Sequence, residues 1–189
     1  MASALIDEAR IRELNDAPVR SDGRWVLYWM QRSQRAEDNP ALETAVRRAN
    51  ELGLPVLVAF GLDDGYPGAN ARSMAYLIEG LADVADGLAR RGVAFAPRRG
   101  RPDEVALALA REAALVVCDR GYLRHHRAWR RRLAEEAPVR VLRVEGDVVV
   151  PVELASDKRE HAARTLRPKL WRHVARFLVE GRATTLQRR

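Results

Sequence analysis

The stretch 25-WVLYWM-30, followed at once by 31-QRSQR-35, determines the fold that we predict for this chain. A continuous apolar run is typical of a strand that is covered on both faces, and this one ends in a polar loop that carries arginine. Pro40–Leu52 then has the pattern of a helix, with proline at its start and Gly53 just past its end. A second apolar run follows at Pro55–Phe60. The sequence therefore predicts the first strand–loop–helix–strand unit of an open α/β sheet, a fold that binds ligands at the carboxyl ends of its strands.

Strands and helices continue to alternate along the chain, which predicts a Rossmann-like α/β fold. We expect an open, mainly parallel five-stranded sheet with helices on both faces, plus a basic C-terminal helical arm. The predicted divisions are an N-terminal helix and turn over 1–22, the α/β domain over 23–155 and the arm or linker over 156–189. The remaining predicted elements are helices at residues 5–17, Asn70–Arg91, Pro102–Ala113, Tyr122–Ala137 and Glu160–Leu178 (interrupted or restarted at Pro168), and strands at Val93–Ala96, Leu115–Cys118 and Val139–Val144.

The composition is that of a globular protein, with 47% hydrophobic residues in a chain of 189. No apolar run reaches the ~18 residues that a membrane-spanning helix needs, so we expect no membrane span. Charged residues within Met1–Arg20 break any signal-peptide core. The single cysteine, Cys118, excludes an internal disulfide and suits the reducing cytoplasm, where we expect the protein to reside.

Positive charge is concentrated near the C-terminus. The formal net charge is +7, and residues 158–189 hold ten lysines or arginines against two acidic residues. Such a segment suggests a nucleic acid or an acidic partner, although a solvated arm in an arginine-rich protein has the same composition. The candidate contacts to DNA or to a partner are Arg164, Arg167, Lys169 and Arg172.

Polar residues follow several predicted strands at the edge where an α/β fold binds ligands. The loop Gln31–Asn39 offers neutral and cationic donors after the first strand. Asp119-Arg120-Gly121 follows the fourth strand, where free amides beside the glycine can hold an anion. The alternative is that Asp119 caps the next helix. Neither a Gly-x-Gly-x-x-Gly turn nor a Gly-x4-Gly-Lys-Ser/Thr loop is present, which argues against an ordinary dinucleotide or ATP site.

Catalytic and metal-binding patterns are weak. No Ser/His/Asp arrangement can be identified, and a single cysteine makes a zinc site a poor prospect. Cys118 lies in an apolar strand and is expected to pack in the core. We expect Trp129 and Trp171, both on basic helices, to serve in packing rather than in stacking on bases. All four histidines are expected at the surface: His125, His126, His161 and His173.

Taken together, these stretches resemble one known family, the class II cyclobutane-pyrimidine-dimer DNA photolyases, over roughly residues 10–178. The resemblance is to the N-terminal α/β domain of that family. It is carried by Val26–Arg35, Asn39–Leu42, Ala49-Asn50, Leu54–Val56, Phe60–Leu62, Ala69-Asn70, Glu79–Leu81, Arg91-Gly92, Asp119–Arg124, Trp129-Arg130, Val144–Glu153 and Ala162–Lys169.

The resemblance implies a domain that holds an antenna chromophore, a deazaflavin or a methenyl-folate, and passes light energy to FAD. In the family the FAD and the DNA lesion lie in a larger helical domain that this chain lacks, so FAD binding by this chain alone is not expected. A separately encoded helical domain is the implied partner, and the segment 162–169 would lie towards it. The residues that the resemblance places at the chromophore pocket are Met30, Gln31, Arg32, Arg35, Gly61, Asp119, Arg120 and Arg124.

Three hypotheses follow for the function. The first is a photolyase-type antenna domain that does not repair DNA alone. The second is a stand-alone module of the same fold that binds a nucleotide or a flavin. The third is a basic nucleic-acid accessory protein, whose DNA affinity should fall steeply with salt and be lost without residues 158–189. As a partner of the antenna domain of the first hypothesis, DNA is expected to bind only weakly. Apolar positions near helical spacing after residue 160 also suggest a homo-oligomer; they are Leu166, Leu170, Trp171, Val174 and Phe177.

Overall fold

The computed structural model describes residues 6–188 and contains one six-stranded sheet. The strands are β1 (Ile11–Glu13), β2 (Trp25–Trp29), β3 (Val56–Leu62), β4 (Ala94–Arg99), β5 (Ala113–Asp119) and β6 (Val141–Val144). The helices are α1 (Pro40–Leu52), α2 (Ala71–Arg90), α3 (Pro102–Ala110), α4 (Arg124–Glu136), α5 (Val152–Ala155) and α6 (Ala163–Phe177), and a short 3-10 turn spans Glu8–Arg10.

The strands lie in the order β1-β6-β5-β2-β3-β4, and all pairs are parallel except β1 with β6. The chain runs outward from β2 to β3 and β4, then returns to place β5 on the other side of β2. This reversal makes the gap between the carboxyl ends of β2 and β5 the topological switch point of the sheet. The predicted Rossmann-like architecture is confirmed.

Two layers of core cover the two faces of the sheet. Val26, Tyr28 and Met30 pack with α1 and α2 on one face, whereas Leu27 and Trp29 pack with α3 and α4 on the other. Successive side chains of a strand point to opposite faces, so a strand that is buried twice must be apolar at every position. This is the physical reason for the continuous apolar run at the start of the domain.

Local signals fix the ends of the first two helices. The Asn39 side-chain oxygen accepts the backbone N–H groups of the first turn of α1, and Gly53 ends that helix with φ of 65°. Asn70 and Ser73 form a reciprocal capping box at the start of α2. These caps explain why the predicted starts of both helices were correct to within one residue.

The helix predicted at residues 5–17 is wrong, and the sheet has six strands rather than five. In the described part of this segment, the 3-10 turn leads into β1, which pairs antiparallel with β6 through Ile11 and Val144. Ile11 packs in the core layer of α1 and Leu14 in that of α3 and α4, so their side chains lie on opposite faces of the sheet. Leu5 lies outside the described residues.

The C-terminal segment contacts the domain along much of its length. Helix α6 runs through Pro168 without a break, so the predicted interruption there is wrong. Its Arg176 Nε lies 2.7 Å from Asp7 Oδ2. Beyond the helix, the Thr184 amide donates to Glu43 Oε2 at 2.6 Å, and Leu186 is buried in the core layer of α1. No helix within residues 6–188 has the length and apolar character required to cross a membrane.

Candidate ligand-binding site

A cavity of about 320 Å³ lies at the carboxyl ends of β2 and β3. Its walls come from the loop after β2, the loop after β3, the first turns of α2 and α3, and the inner face of α4. That volume is at the lower end of the range for small-molecule sites, about 300–1,000 Å³. The lining residues are Met30, Gln31, Arg32, Gln34, Phe60, Gly61, Asp63, Tyr66, Pro67, Gly68, Ala69, Ser73, Met74, Leu77, Pro102, His126 and Trp129.

The loop after β2 is held in place by the buried carboxylate of Asp119 at the end of β5. Asp119 Oδ2 accepts the backbone N–H groups of Gln31 at 2.8 Å, Arg32 at 2.8 Å and Ser33 at 3.3 Å. Asp119 Oδ1 accepts the Tyr28 hydroxyl at 3.0 Å. Burial raises the pKa of Asp119, and the amide hydrogen bonds oppose that shift. Asp119 therefore fills the switch point and positions the wall of the cavity from behind.

Asn39 completes this anchor from the other end of the loop. Its Nδ2 donates to the Ser33 carbonyl at 2.9 Å and to the Arg35 carbonyl at 3.0 Å, while its Oδ1 caps α1. The same Nδ2 lies 3.1 Å from the Tyr28 hydroxyl. Both ends of the loop therefore meet in one buried network, which gives the residues between them a fixed backbone.

The side-chain amide of Gln31 is the most informative group in the cavity. Gln31 lines the cavity and is only 9% exposed. Neither its Nε2 nor its Oε1 has a hydrogen-bond partner among the described residues. A buried amide without a partner costs about 1–3 kcal/mol, so such groups need an explanation. A ligand that offers both a donor and an acceptor would satisfy this amide.

An aromatic cluster lies at the cavity, and three of its members, Tyr66, His126 and Trp129, line it. Tyr66, His125, His126 and Trp129 pack together with ring centroids 4.4 to 6.2 Å apart. The Tyr66 hydroxyl lies 3.0 Å from His125 Nε2 and 3.1 Å from His126 Nε2. The cluster presents apolar ring surface and no net charge where His126 borders the cavity, because that imidazole is neutral at ordinary pH.

The prediction that His126 lies at the surface is wrong, since only 3% of it is exposed. Burial, together with the nearby His125 and Arg32, lowers the pKa of His126 to about 4. A Cβ added at Gly121 would lie 2.5 Å from His126 Nδ1, so the backbone at Gly121 passes directly against the imidazole. A bulkier residue there would push the ring away from Tyr66.

Four of the eight predicted pocket residues line the cavity: Met30, Gln31, Arg32 and Gly61. Arg32 stands at the rim, where its Nε pairs with Asp147 Oδ2 at 2.9 Å. Gly61 forms part of the floor, and an added Cβ there would lie 2.5 Å from Pro102 Cα. Tight packing between the end of β3 and the start of α3 therefore requires glycine at this position.

The other four predicted residues do not line the cavity. Asp119 lies behind the loop, and Arg35 turns outward to the Asp38 carbonyl at 2.9 Å. Arg120 forms ion pairs with two carboxylates, Glu145 Oε2 at 2.9 Å and Glu153 Oε1 at 3.2 Å. Arg124 lies at the start of α4 and faces away from the cavity, into a separate groove.

Several cavity residues were not predicted as contacts, namely Tyr66, Met74, Leu77, His126 and Trp129. Their place depends on how α2, α4 and the loop after β3 pack against the sheet, which no short motif encodes. One signal was available for the loop, because long Gly- and Pro-rich loops in compact domains are often functional.

Helix α6 presents part of its predicted contact surface to solvent. Arg164, Arg167 and Arg172 are exposed, whereas Lys169 Nζ lies 2.6 Å from Glu160 Oε1. Leu170 and Val174 pack around Phe177, Val150 and Ala155, so these apolar positions are covered by the fold itself. Trp171 is 62% exposed. Self-association and contacts with DNA or a partner through this helix stay predictions.

The fold and cavity define an α/β domain of the Rossmann-like class with a cavity at the carboxyl edge of its sheet. A family model described as DNA photolyase matches residues 26–187. The chain belongs to the DNA photolyase family, which confirms the resemblance drawn from the sequence.

Individual relatives agree with this assignment. The deoxyribodipyrimidine photo-lyase of Methanothermobacter thermautotrophicus is 44% identical over 183 residues, which cover 97% of this chain and 41% of the relative. That of Oryza sativa subsp. japonica is 36% identical, with 91% of this chain and 35% of the relative covered. The chain thus spans about two fifths of the length of these relatives.

A solved structure shows the same fold. The archaeal photolyase from Sulfolobus tokodaii, described as holding two FAD molecules and implying a novel light-harvesting cofactor, superposes with a TM-score of 0.64 at 16% identity. The match covers 83% of this chain and 35% of that protein. The described residues therefore correspond to the α/β part of a photolyase.

Proposed function

We propose that this domain binds a light-harvesting chromophore in the cavity at the ends of β2 and β3. The observation that carries the proposal is the buried side-chain amide of Gln31, which faces the cavity without a partner among residues 6–188. When bound, such a chromophore would supply absorption of near-ultraviolet or blue light. The energy would pass to FAD held by a helical domain.

The residues of the cavity fit a planar heteroaromatic ligand. Tyr66 and Trp129 offer ring surface, and Met30 and Leu77 add apolar walls. The Gln31 amide would pair with a neighbouring N–H and C=O of the ligand, a pattern found in both deazaflavins and methenyl-folates. Arg32 at the rim would remain near solvent, where it suits an anionic substituent.

The comparison structure supports the choice of ligand class. A light-harvesting cofactor is inferred for the Sulfolobus tokodaii photolyase, and the part of the fold that it shares with this chain is the α/β part. At this identity the likeness extends to the fold alone. The choice between a deazaflavin and a methenyl-folate therefore rests on the experiment below.

We do not expect the chain alone to repair DNA. Nothing assigns FAD or a lesion site to residues of this chain, and its relatives are more than twice as long. We propose that an FAD-binding helical domain completes the enzyme. The purified chain should then fail to split thymine dimers under blue light, and repair by the chain without any partner would contradict this.

The first experiment is an absorption spectrum of the purified chain with mass spectrometry of any released molecule, followed by titration with a deazaflavin and with methenyl-folate. Stoichiometric uptake of one of them supports the proposal. The variant Gln31→Leu should weaken binding about 30-fold, since it removes two hydrogen bonds that contribute about 1 kcal/mol each.

Gln187→Leu is the matched control, because Gln187 is exposed at the other end of the molecule. If both variants weaken binding equally, or if the protein takes up neither chromophore, the proposal is wrong. Uptake of FMN or ATP instead would favour the alternative of a stand-alone nucleotide or flavin module.

A further inference from the structure

A second concave surface, the α4 groove, lies between the outer face of α4 and the sheet, next to β6 and the end of the edge strand β1. Its volume is about 660 Å³. His126 and Trp129 on the inner face of the same helix border the chromophore cavity, so α4 separates the two sites. The groove is lined by Leu14, Arg124, Arg127, Ala128, Arg130, Arg131, Ala134 and Arg143, and thus by five arginines and no acidic residue.

The helical period places most of the groove residues of α4 on one face of that helix. Positions 124, 127, 128, 131 and 134 recur at spacings of three and four, so they share one face of α4. Leu133 and Trp129 occupy the opposite, buried face. The sequence thus gives this helix an apolar side for the core and a cationic side for solvent, with alanines between the arginines that leave the groove open.

The arginines of the groove are only partly neutralised by carboxylates. Arg143 pairs with Glu153 at 3.0 Å, and Arg131 has a distant contact to Glu135 at 3.8 Å. Within residues 6–188, Arg124 and Arg127 have no carboxylate within 4.0 Å. A groove with this excess of positive charge attracts anions from solution.

Like charges also crowd at the base of the groove. Arg130 is partly buried and donates to the Gly121 carbonyl at 3.0 Å. Burial lowers the pKa of Arg130, and the nearby cations of Arg143, Arg120 and Arg127 lower it further. This repulsion costs stability unless an anion enters the groove and offsets it.

We propose that the α4 groove binds the phosphate backbone of a nucleic-acid strand. The guanidinium group matches the geometry of phosphate oxygens, and several such groups stand in a row. Arg124 and Arg131 are separated by about 10 Å along the helix axis, at about 1.5 Å per residue. Successive phosphates of one DNA strand rise by about 3.4 Å along the duplex axis but lie farther apart than that along the winding strand, so the row reaches about two of them. A single phosphate would engage only part of it.

This site is independent of the proposed chromophore. It also differs from the contact expected on α6, where Arg164 and Arg167 are exposed on a convex helix surface rather than in a groove. A charge-matched control is provided by Arg90 on α2 and Arg98 on β4, which are exposed at the opposite edge of the sheet.

The test is fluorescence anisotropy of a labelled DNA duplex with the full chain over a range of salt concentrations. For Arg124→Gln/Arg127→Gln, we expect weaker binding at low salt and a log–log salt slope shallower by about 2, or about 1 for each phosphate that is no longer neutralised. Arg124→Lys/Arg127→Lys should keep most of the slope, because the charge remains. Both positions are exposed, and circular dichroism would verify that the variants are folded.

Arg90→Gln/Arg98→Gln removes the same charge at the opposite edge of the sheet and should leave the slope nearly unchanged. An equal or larger effect in this control would overturn the assignment to the α4 groove. Inorganic phosphate serves as a competitor in a second arm. If it displaces the duplex at concentrations that the change in ionic strength does not explain, the groove is a site for single phosphates and the proposal is wrong.

Discussion

Replacement of Asp119 with alanine should destabilise the domain more than any other single change at the carboxyl edge of the sheet. Its carboxylate is 2% exposed and accepts four hydrogen bonds, three from the backbone amides of Gln31, Arg32 and Ser33 and one from the Tyr28 hydroxyl. Alanine would leave these buried donors without an acceptor. Burial of the carboxylate is itself unfavourable, but in its absence the four donors would remain buried and unsatisfied.

The size of the effect follows from the contacts. Each net hydrogen bond contributes about 1 kcal/mol, so Asp119→Ala should lower the free energy of unfolding by about 4 kcal/mol. For a chain of this length, that corresponds to a fall in Tm of about 8–16 °C, at about 2–4 °C per kcal/mol. Asp119→Asn retains the shape and one acceptor, and we expect it to lie between wild type and alanine.

Urea and thermal unfolding measure the stability, and hydrogen exchange at Gln31, Arg32 and Ser33 reports the loop itself. Asp147→Ala is the control, because its carboxylate makes an ion pair with the same loop through the partly exposed Arg32. Such a pair contributes about 1 kcal/mol or less. If both alanine variants lose the same stability and the loop amides remain protected, Asp119 does not anchor the loop.

Three further perturbations test the surroundings of the cavity. The pKa of His126 is about 4 in the folded state, against an ordinary value of 6.5, so between these pH values only the unfolded chain binds the proton. The free energy of unfolding should therefore fall by about 3 kcal/mol as the pH drops from 6.5 to 4. In urea unfolding measured over this pH range, His126→Gln should flatten the dependence. Gly61→Ala should cost about 1–3 kcal/mol in thermal unfolding because the new Cβ would meet Pro102, whereas Gly80→Ala, with open space around it, should be neutral or stabilising by up to about 1 kcal/mol. Cys118 should resist alkylation in the native protein because burial raises the pKa of its thiol to about 12. Mass spectrometry would measure the labelling, and rapid labelling of the native protein would show that the thiol on β5 is accessible to solvent.

Much of the fold could be predicted from the sequence because strong local signals agree with the global architecture. The apolar runs of β2 and β3 and the caps of α1 determine those elements with little help from tertiary context. Strand β1 was missed because its three residues are too few to show a period of two. The spacing of apolar residues around Ile11 is also typical of a helix, and the segment forms a strand because it pairs with β6.

Some of the cavity residues could be predicted from the sequence and others could not, and the difference has a physical cause. Met30, Gln31, Arg32 and Gly61 lie directly at strand ends, whose position follows from the parallel sheet. Tyr66, His126 and Trp129 reach the cavity through the packing of a long loop and a helix, which sequence spacing does not fix. The His125-His126 pair among arginines suggested a solvated helix, yet the helix turns one imidazole inward against Gly121.

Asp119 and Gln31 together explain why the cavity lies beside the switch point of the sheet rather than at it. The crevice between β2 and β5 is closed by the Asp119 carboxylate, which binds the backbone amide of Gln31. The side chain of the same glutamine is thereby held over the neighbouring gap between β2 and β3. A recognition group with a fixed backbone loses little conformational freedom when a ligand binds. Asp119 is therefore a positioning residue, and its removal should weaken binding of the proposed chromophore through Gln31 even though it does not touch the cavity.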